Sequence, residues 1–117
     1  MKEHVMQPTE LKQRIDRVEQ CADAAERAIQ SGSVPGELRQ SVDAMHQQAR
    51  QAQQACSAGQ QQGDQSRLRD VVAQLEQASD RAMQACRNAG NVDPKLQQAV
   101  QSAHDEASSL KKQLQMG

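Results

Sequence analysis

The chain has no phenylalanine, tyrosine or tryptophan among its 117 residues. That absence removes the flat rings on which single-strand binders and RNA-reading modules stack bases. It also removes the ring anchors that seat amphipathic helices at a membrane surface. An excess of either charge is missing too: 14 basic residues stand against 15 acidic ones, for a formal net charge of −1. So balanced a surface sets up no long-range field to draw in nucleic acid or to hold anionic lipid. Neither nucleic acid nor membrane is an expected partner.

Long apolar runs are absent as well, the longest being only a few residues where a spanning helix needs roughly 20. The opening residues MKEHVMQPTEL lack the apolar stretch of a secretory signal. Cysteine is scarce and dispersed, at Cys21, Cys56 and Cys86. An odd number of distant thiols with no CxxC spacing suits a reducing compartment better than a disulfide framework. A soluble, cytoplasmic protein is the expectation. There is no nucleophile elbow, Walker loop or dinucleotide fingerprint, and a tight helical bundle offers no obvious substrate cleft. The sequence therefore points away from an enzyme, from a resident cofactor and from a small-molecule substrate.

What is there is alanine and glutamine, both compatible with helix, and an internal repeat. Laying RVEQCADAAERAI (17–29) over QLEQASDRAMQAC (74–86) pairs Glu19 with Glu76, Gln20 with Gln77, Asp23 with Asp80 and Ala25 with Ala82, an offset of 57 residues. One more residue in the turn makes the offset 58. Gly32 then meets Gly90, Val34 meets Val92, Leu38 meets Leu96, Val42 meets Val100 and His46 meets His104. A unit of this length present twice reads as a duplicated helical hairpin rather than an open solenoid, which needs about three or more units.

Apolar residues step by three and four through each half. The stripes run Leu11, Ile15, Val18, Ala22, Ala25, Ile29; Leu38, Val42, Met45, Ala49, Ala52, Cys56; Leu68, Val72, Leu75, Ser79, Ala82, Cys86; and Leu96, Val100, Ala103, Ala107, Leu110, Leu114. One narrow stripe per helix is the seam of a bundle. Pro8 and Thr9 open the first helix, Gly32 and Gly90 close helices in the left-handed conformation, and Asp93–Pro94 supplies an N-cap and a first helical residue. Pro35–Gly36 is the poorer counterpart, and Asp64 or Ser66 caps the third helix. The polar stretch SAGQQQGDQS (57–66) reads as the link between copies. The predicted fold class is all-α: an antiparallel up-down-up-down four-helix bundle from two tandem helical-hairpin repeats. It forms a single domain, with repeat one at about 8–57, a connector at 58–65 and repeat two at about 66–115.

So much alanine leaves a thin core, since a fully buried Leu or Val contributes roughly 1.5–3 kcal/mol over an exposed one. Apolar shoulders beside the main stripe, such as Val71 and Met83, then become available to a second molecule. The expected function is a non-enzymatic helical interaction or scaffold module, acting by self-association (a homodimer) or by binding another protein.

One pairing invites chemistry. Glu19 flanks the seam of the first helix and His46 that of the second. A turn near residue 33 brings Glu19 level with about residue 47, so carboxylate and imidazole meet; Glu76 and His104 repeat the arrangement. Glu19, His46, Glu76 and His104 are candidate ligands for a transition metal, with Asp23 and Asp80 one turn along. The bland reading is an ion pair at the solvent edge, worth at most about 1 kcal/mol, and it is the one preferred on sequence alone. The di-iron pattern of paired Glu-x-x-His motifs fails, because Asp43 and Gln101 stand where the glutamates would be. Thiol chemistry, such as a Cu(I) site, is disfavoured because the three cysteines fall at different levels of the bundle. They read as small apolar packing groups.

Overall fold

The computed structural model describes residues 8–30, 34–62, 65–90 and 92–116. They form four helices: α1 (Pro8–Gln30), α2 (Gly36–Gln62), α3 (Gln65–Ala89) and α4 (Pro94–Met116). Consecutive helices pack side by side, and α1 closes the ring against α4. The result is the up-down-up-down bundle, without strands among the described residues.

The striped pattern explains why the chain folds this way. Ile15, Val18, Ala22, Ala25 and Ile29 of α1 are buried, as are Leu38, Val42, Met45, Ala49, Ala52 and Cys56 of α2. Leu68, Val72, Leu75, Ser79, Ala82 and Cys86 of α3 join them, with Leu96, Val100, Ala103, Ala107 and Leu110 of α4. Only the outermost stripe members, Leu11 and Leu114, are partly buried, together with the shoulders Val71 and Met83. Nine of the buried apolar residues are alanines, so each contributes little area and the core is thin in the sense the sequence implies. Ser79, fully buried, donates its hydroxyl to the Glu76 carbonyl at 2.8 Å. That bond removes the cost of an unpaired buried hydroxyl.

The second turn is built as expected. Gly90 has φ of +83°, and its N–H donates to the Cys86 carbonyl at 3.3 Å. Asp93 caps α4 through Oδ1, which accepts from the Lys95 N–H at 2.9 Å, and Pro94 is the first helical residue. Gly32 and Asp64 lie outside the described residues, so their proposed roles do as well.

The link between the hairpins differs from the sequence expectation. Helix α2 continues through residues 57–62, and α3 begins at Gln65, which places Ser66 inside the helix rather than at its cap. Composition explains it: Ala and Gln are good helix formers, and one Gly inside a helix costs only about 1 kcal/mol relative to Ala. Polarity along 57–62 did not mark a break in the helix.

Candidate functional site

Helix α1 presents Glu19, Asp23 and Glu26 at successive turns of one face, and α2 presents His46 opposite them. His46 is buried. Its Nε2 lies 3.1 Å from Glu19 Oε2 and 3.8 Å from Asp23 Oδ1, while its Nδ1 lies 3.3 Å from Glu26 Oε1. The Glu19–His46 pairing expected from the antiparallel register is thus in place, with a third carboxylate on the far side of the ring. A ring with one proton can donate to only one of these sides. A ring protonated on both nitrogens donates to both. Asp23 turns its second oxygen outward, where Oδ2 accepts from Arg27 at 3.2 Å.

Glu26 is tied further into the network. A hydrogen bond with the Asp43 carboxyl holds its pKa above the usual range, and burial adds to the effect. Two carboxyls bonded to each other share a proton more readily than either gives it up.

The second hairpin brings Glu76, Asp80 and His104 together in the same order. His104 Nε2 lies 3.3 Å from Glu76 Oε2 and 3.8 Å from Asp80 Oδ1. The surroundings are different. Met83 and Gln101 occupy the positions offset from Glu26 and Asp43. The nearest carboxylate to His104 Nδ1 is that of the exposed Asp105, at 3.9 Å. Lys111 places its ammonium 3.8 Å from Glu76 Oε1. His104 Nε2 is buried and makes no well-formed hydrogen bond. Among the described residues, Glu19, Asp23 and His46 are the one group of three metal-ligating side chains whose donor atoms all lie within 4.8 Å of one another.

A second region lies between α1 and α4. Cys21, Ala24, Ala28, Ala99 and Ser102 floor a shallow groove, in which adjoining hollows measure about 370 and 390 Å³. Its rim carries Arg17, Arg27 and Lys95, with Asp23 the single carboxylate among the lining residues. Arg17 reaches Glu106 at 3.4 Å and is largely exposed. Below it, Arg14 donates to Ser109 Oγ at 2.9 Å, bracing α1 against α4.

The three cysteines are free, Cys56 and Cys86 buried and Cys21 partly so. Burial pushes all three thiols above their ordinary range, with the Glu106 charge adding to the effect at Cys21. Protonated thiols of this kind are poor nucleophiles and poor ligands.

Comparison with known proteins returned no match: no family model, no curated protein and no solved structure resembles the chain closely enough to carry an assignment.

Proposed function

We propose that the protein is a non-enzymatic helical interaction module that seats a helix of another protein in the α1–α4 groove. The observation that carries this reading is the groove's floor of small residues beneath a cationic rim. Side chains no larger than Ala, Ser and Cys let a partner helix approach closely, as small-residue interfaces do elsewhere. Arg17, Arg27 and Lys95 select a partner with acidic flanks. The ion pairs that Arg17 and Arg27 already make are at the surface and worth at most about 1 kcal/mol each, so a partner can exchange them. Self-association is the weaker version, because the exposed neighbours four residues from Val71 and Met83 on α3 are Arg67 and Arg87, the wrong charge for this rim. The two hairpins are read as copies of one ancestral unit, and three free thiols suit a reducing, cytoplasmic setting. No helix among the described residues is long and apolar enough to cross a membrane.

The test is a capture experiment from the native cell, with identification of the partner. Ala24 is exposed and lines both hollows, and arginine is as good a helix former as most residues. Ala24→Arg therefore fills the groove and leaves the bundle folded. The expected result is a partner retained by the native chain, lost with Ala24→Arg, and displaced by a peptide of the partner's own acidic helix. Equal retention by the variant would overturn the groove assignment. Concentration-dependent sedimentation abolished by the same substitution would make a second copy the occupant.

A further inference from the structure

We propose that the first hairpin holds one divalent transition-metal ion, with zinc the best-fitting case, through Glu19 Oε2, Asp23 Oδ1 and His46 Nε2, and that the second hairpin does not. The inference does not rest on the groove reading, although the two regions share α1 and meet at Asp23, which lines one hollow and pairs with Arg27 at its rim.

The geometry carries it. Zinc takes oxygen and nitrogen ligands at about 2.0–2.2 Å in a tetrahedron, whose edges are then roughly 3.3–3.6 Å. The gap from His46 Nε2 to Glu19 Oε2 is 3.1 Å and that to Asp23 Oδ1 is 3.8 Å. These values bracket a tetrahedral edge, and the third, between the two carboxylates, is within 4.8 Å. Three protein ligands leave one position to water. Borderline nitrogen with hard oxygen donors suits zinc and its first-row neighbours better than copper(I), which prefers sulfur.

Charge and orientation agree with the distances. Two carboxylates with a neutral imidazole put an ion of charge +2 in a site of charge −2. With a metal on Nε2, Nδ1 carries the proton and donates it to Glu26 Oε1, 3.3 Å away. A carboxylate behind a ligating histidine fixes its tautomer and raises its basicity. Asp43 in turn holds Glu26. The ligands also come from rigid elements: two sit one turn apart on α1, and the third is a buried side chain at mid-length on α2.

The second hairpin repeats the inner residues and lacks the rest. Met83 replaces the carboxylate behind the ring, and Lys111 already supplies a cation to Glu76. A cation on one carboxylate is common to both hairpins, since Arg27 takes Asp23 Oδ2 at 3.2 Å in the first, so the separation rests on the ring: His104 Nδ1 has only the exposed Asp105 behind it, at 3.9 Å. The bare ion-pair reading treats the two hairpins alike. The metal reading separates them.

The experiment titrates the 117-residue chain with Zn²⁺ against a chromophoric chelator, and with Co²⁺ followed by visible absorption. One equivalent of Zn²⁺ is expected, with Co²⁺ giving the intense visible bands of a four-coordinate ion and no near-ultraviolet thiolate band. His104→Ala should leave both unchanged. Glu26→Gln should weaken Zn²⁺ by about 10–100-fold, the usual effect of removing a partner behind a ligand. His46→Ala should weaken it by more than that. Circular dichroism reports whether each variant is folded. Should His46→Ala unfold, Glu19→Gln with Asp23→Asn removes two oxygens from the surface edge and must give the same loss. Absence of stoichiometric binding, binding retained in the ligand variants, a thiolate band, or equal loss on His104→Ala would each overturn the proposal.

Discussion

At Glu19 and Glu76 the two hairpins set the same carboxylate against the same imidazole, at 3.1 and 3.3 Å, and then diverge within a turn of helix. In the first, Glu26 backs the ring at 3.3 Å and Asp43 backs Glu26. In the second those positions are Met83 and Gln101, and Lys111 approaches the glutamate instead. The inner pair is therefore compatible with two fates, and its neighbours choose between them. With an acidic surround the ring sits in a site that wants a cation; with an apolar and basic surround it is an edge contact of small energetic weight. The cores differ in a compensating way. Met45 fills the middle of the first hairpin where the offset position in the second is Ala103, whereas Leu110 stands in the second where the first has Ala52.

The largest effect expected from disturbing this balance is in the core. Met45 is fully buried beside His46, so Met45→Ala should cost about 2–5 kcal/mol, measured by urea unfolding followed by circular dichroism. Leu110→Ala should cost a comparable amount, since Leu110 is also fully buried. A loss below about 1 kcal/mol in either would mean that the bundle relaxes to fill the space.

A smaller effect should come from transplanting the surround. Met83→Glu, Gln101→Asp and Lys111→Gln together give the second hairpin the residues of the first. Zinc stoichiometry should rise from one to two, with the new site gaining roughly 10–100-fold from the carboxylate behind His104. Continued binding of a single ion would show that the surround is not what separates the hairpins.

The smallest effect concerns pH. A hydrogen bond from Lys12 at 3.0 Å holds the Asp16 carboxyl below its ordinary range against the opposing effect of burial, with Gln53 of α2 adding a second bond at 2.9 Å. A depressed carboxyl stabilises the fold at neutral pH and loses that contribution as pH falls through its titration range. Asp16→Asn should therefore lower stability at neutral pH by at most about 1 kcal/mol, as expected for a surface interaction. It should also flatten the decline toward about pH 3. A decline as steep as the native one would assign the acid sensitivity elsewhere.

The bundle was legible because helical period alone selects the seam, and the predicted seam residues are the buried ones. The inner pairs were legible because antiparallel helices joined by a short turn fix which levels meet. Polarity misled at 57–62, where Ser, Ala and Gln extend α2 instead of ending it. The outer carboxylate was missed although a signal was present. Glu19, Asp23 and Glu26 are spaced i, i+4, i+7 and so share one face of α1. Their convergence on a single ring depends on His46 being buried between them, which depends on side-chain placement rather than on period. The groove was not legible at all, since Cys21, Ala24, Ala28 and Ala99 belong to two distant segments whose adjacency comes from ring closure.

The most direct measurement is a nuclear magnetic resonance titration of the protein labelled with ¹⁵N in its histidine rings, followed as Zn²⁺ is added. The account predicts that the His46 ring nitrogens shift and saturate at one equivalent, with Nε2 taking the metal and Nδ1 keeping its proton, while those of His104 stay where they were. Parallel shifts of both rings, or none in His46, would contradict it.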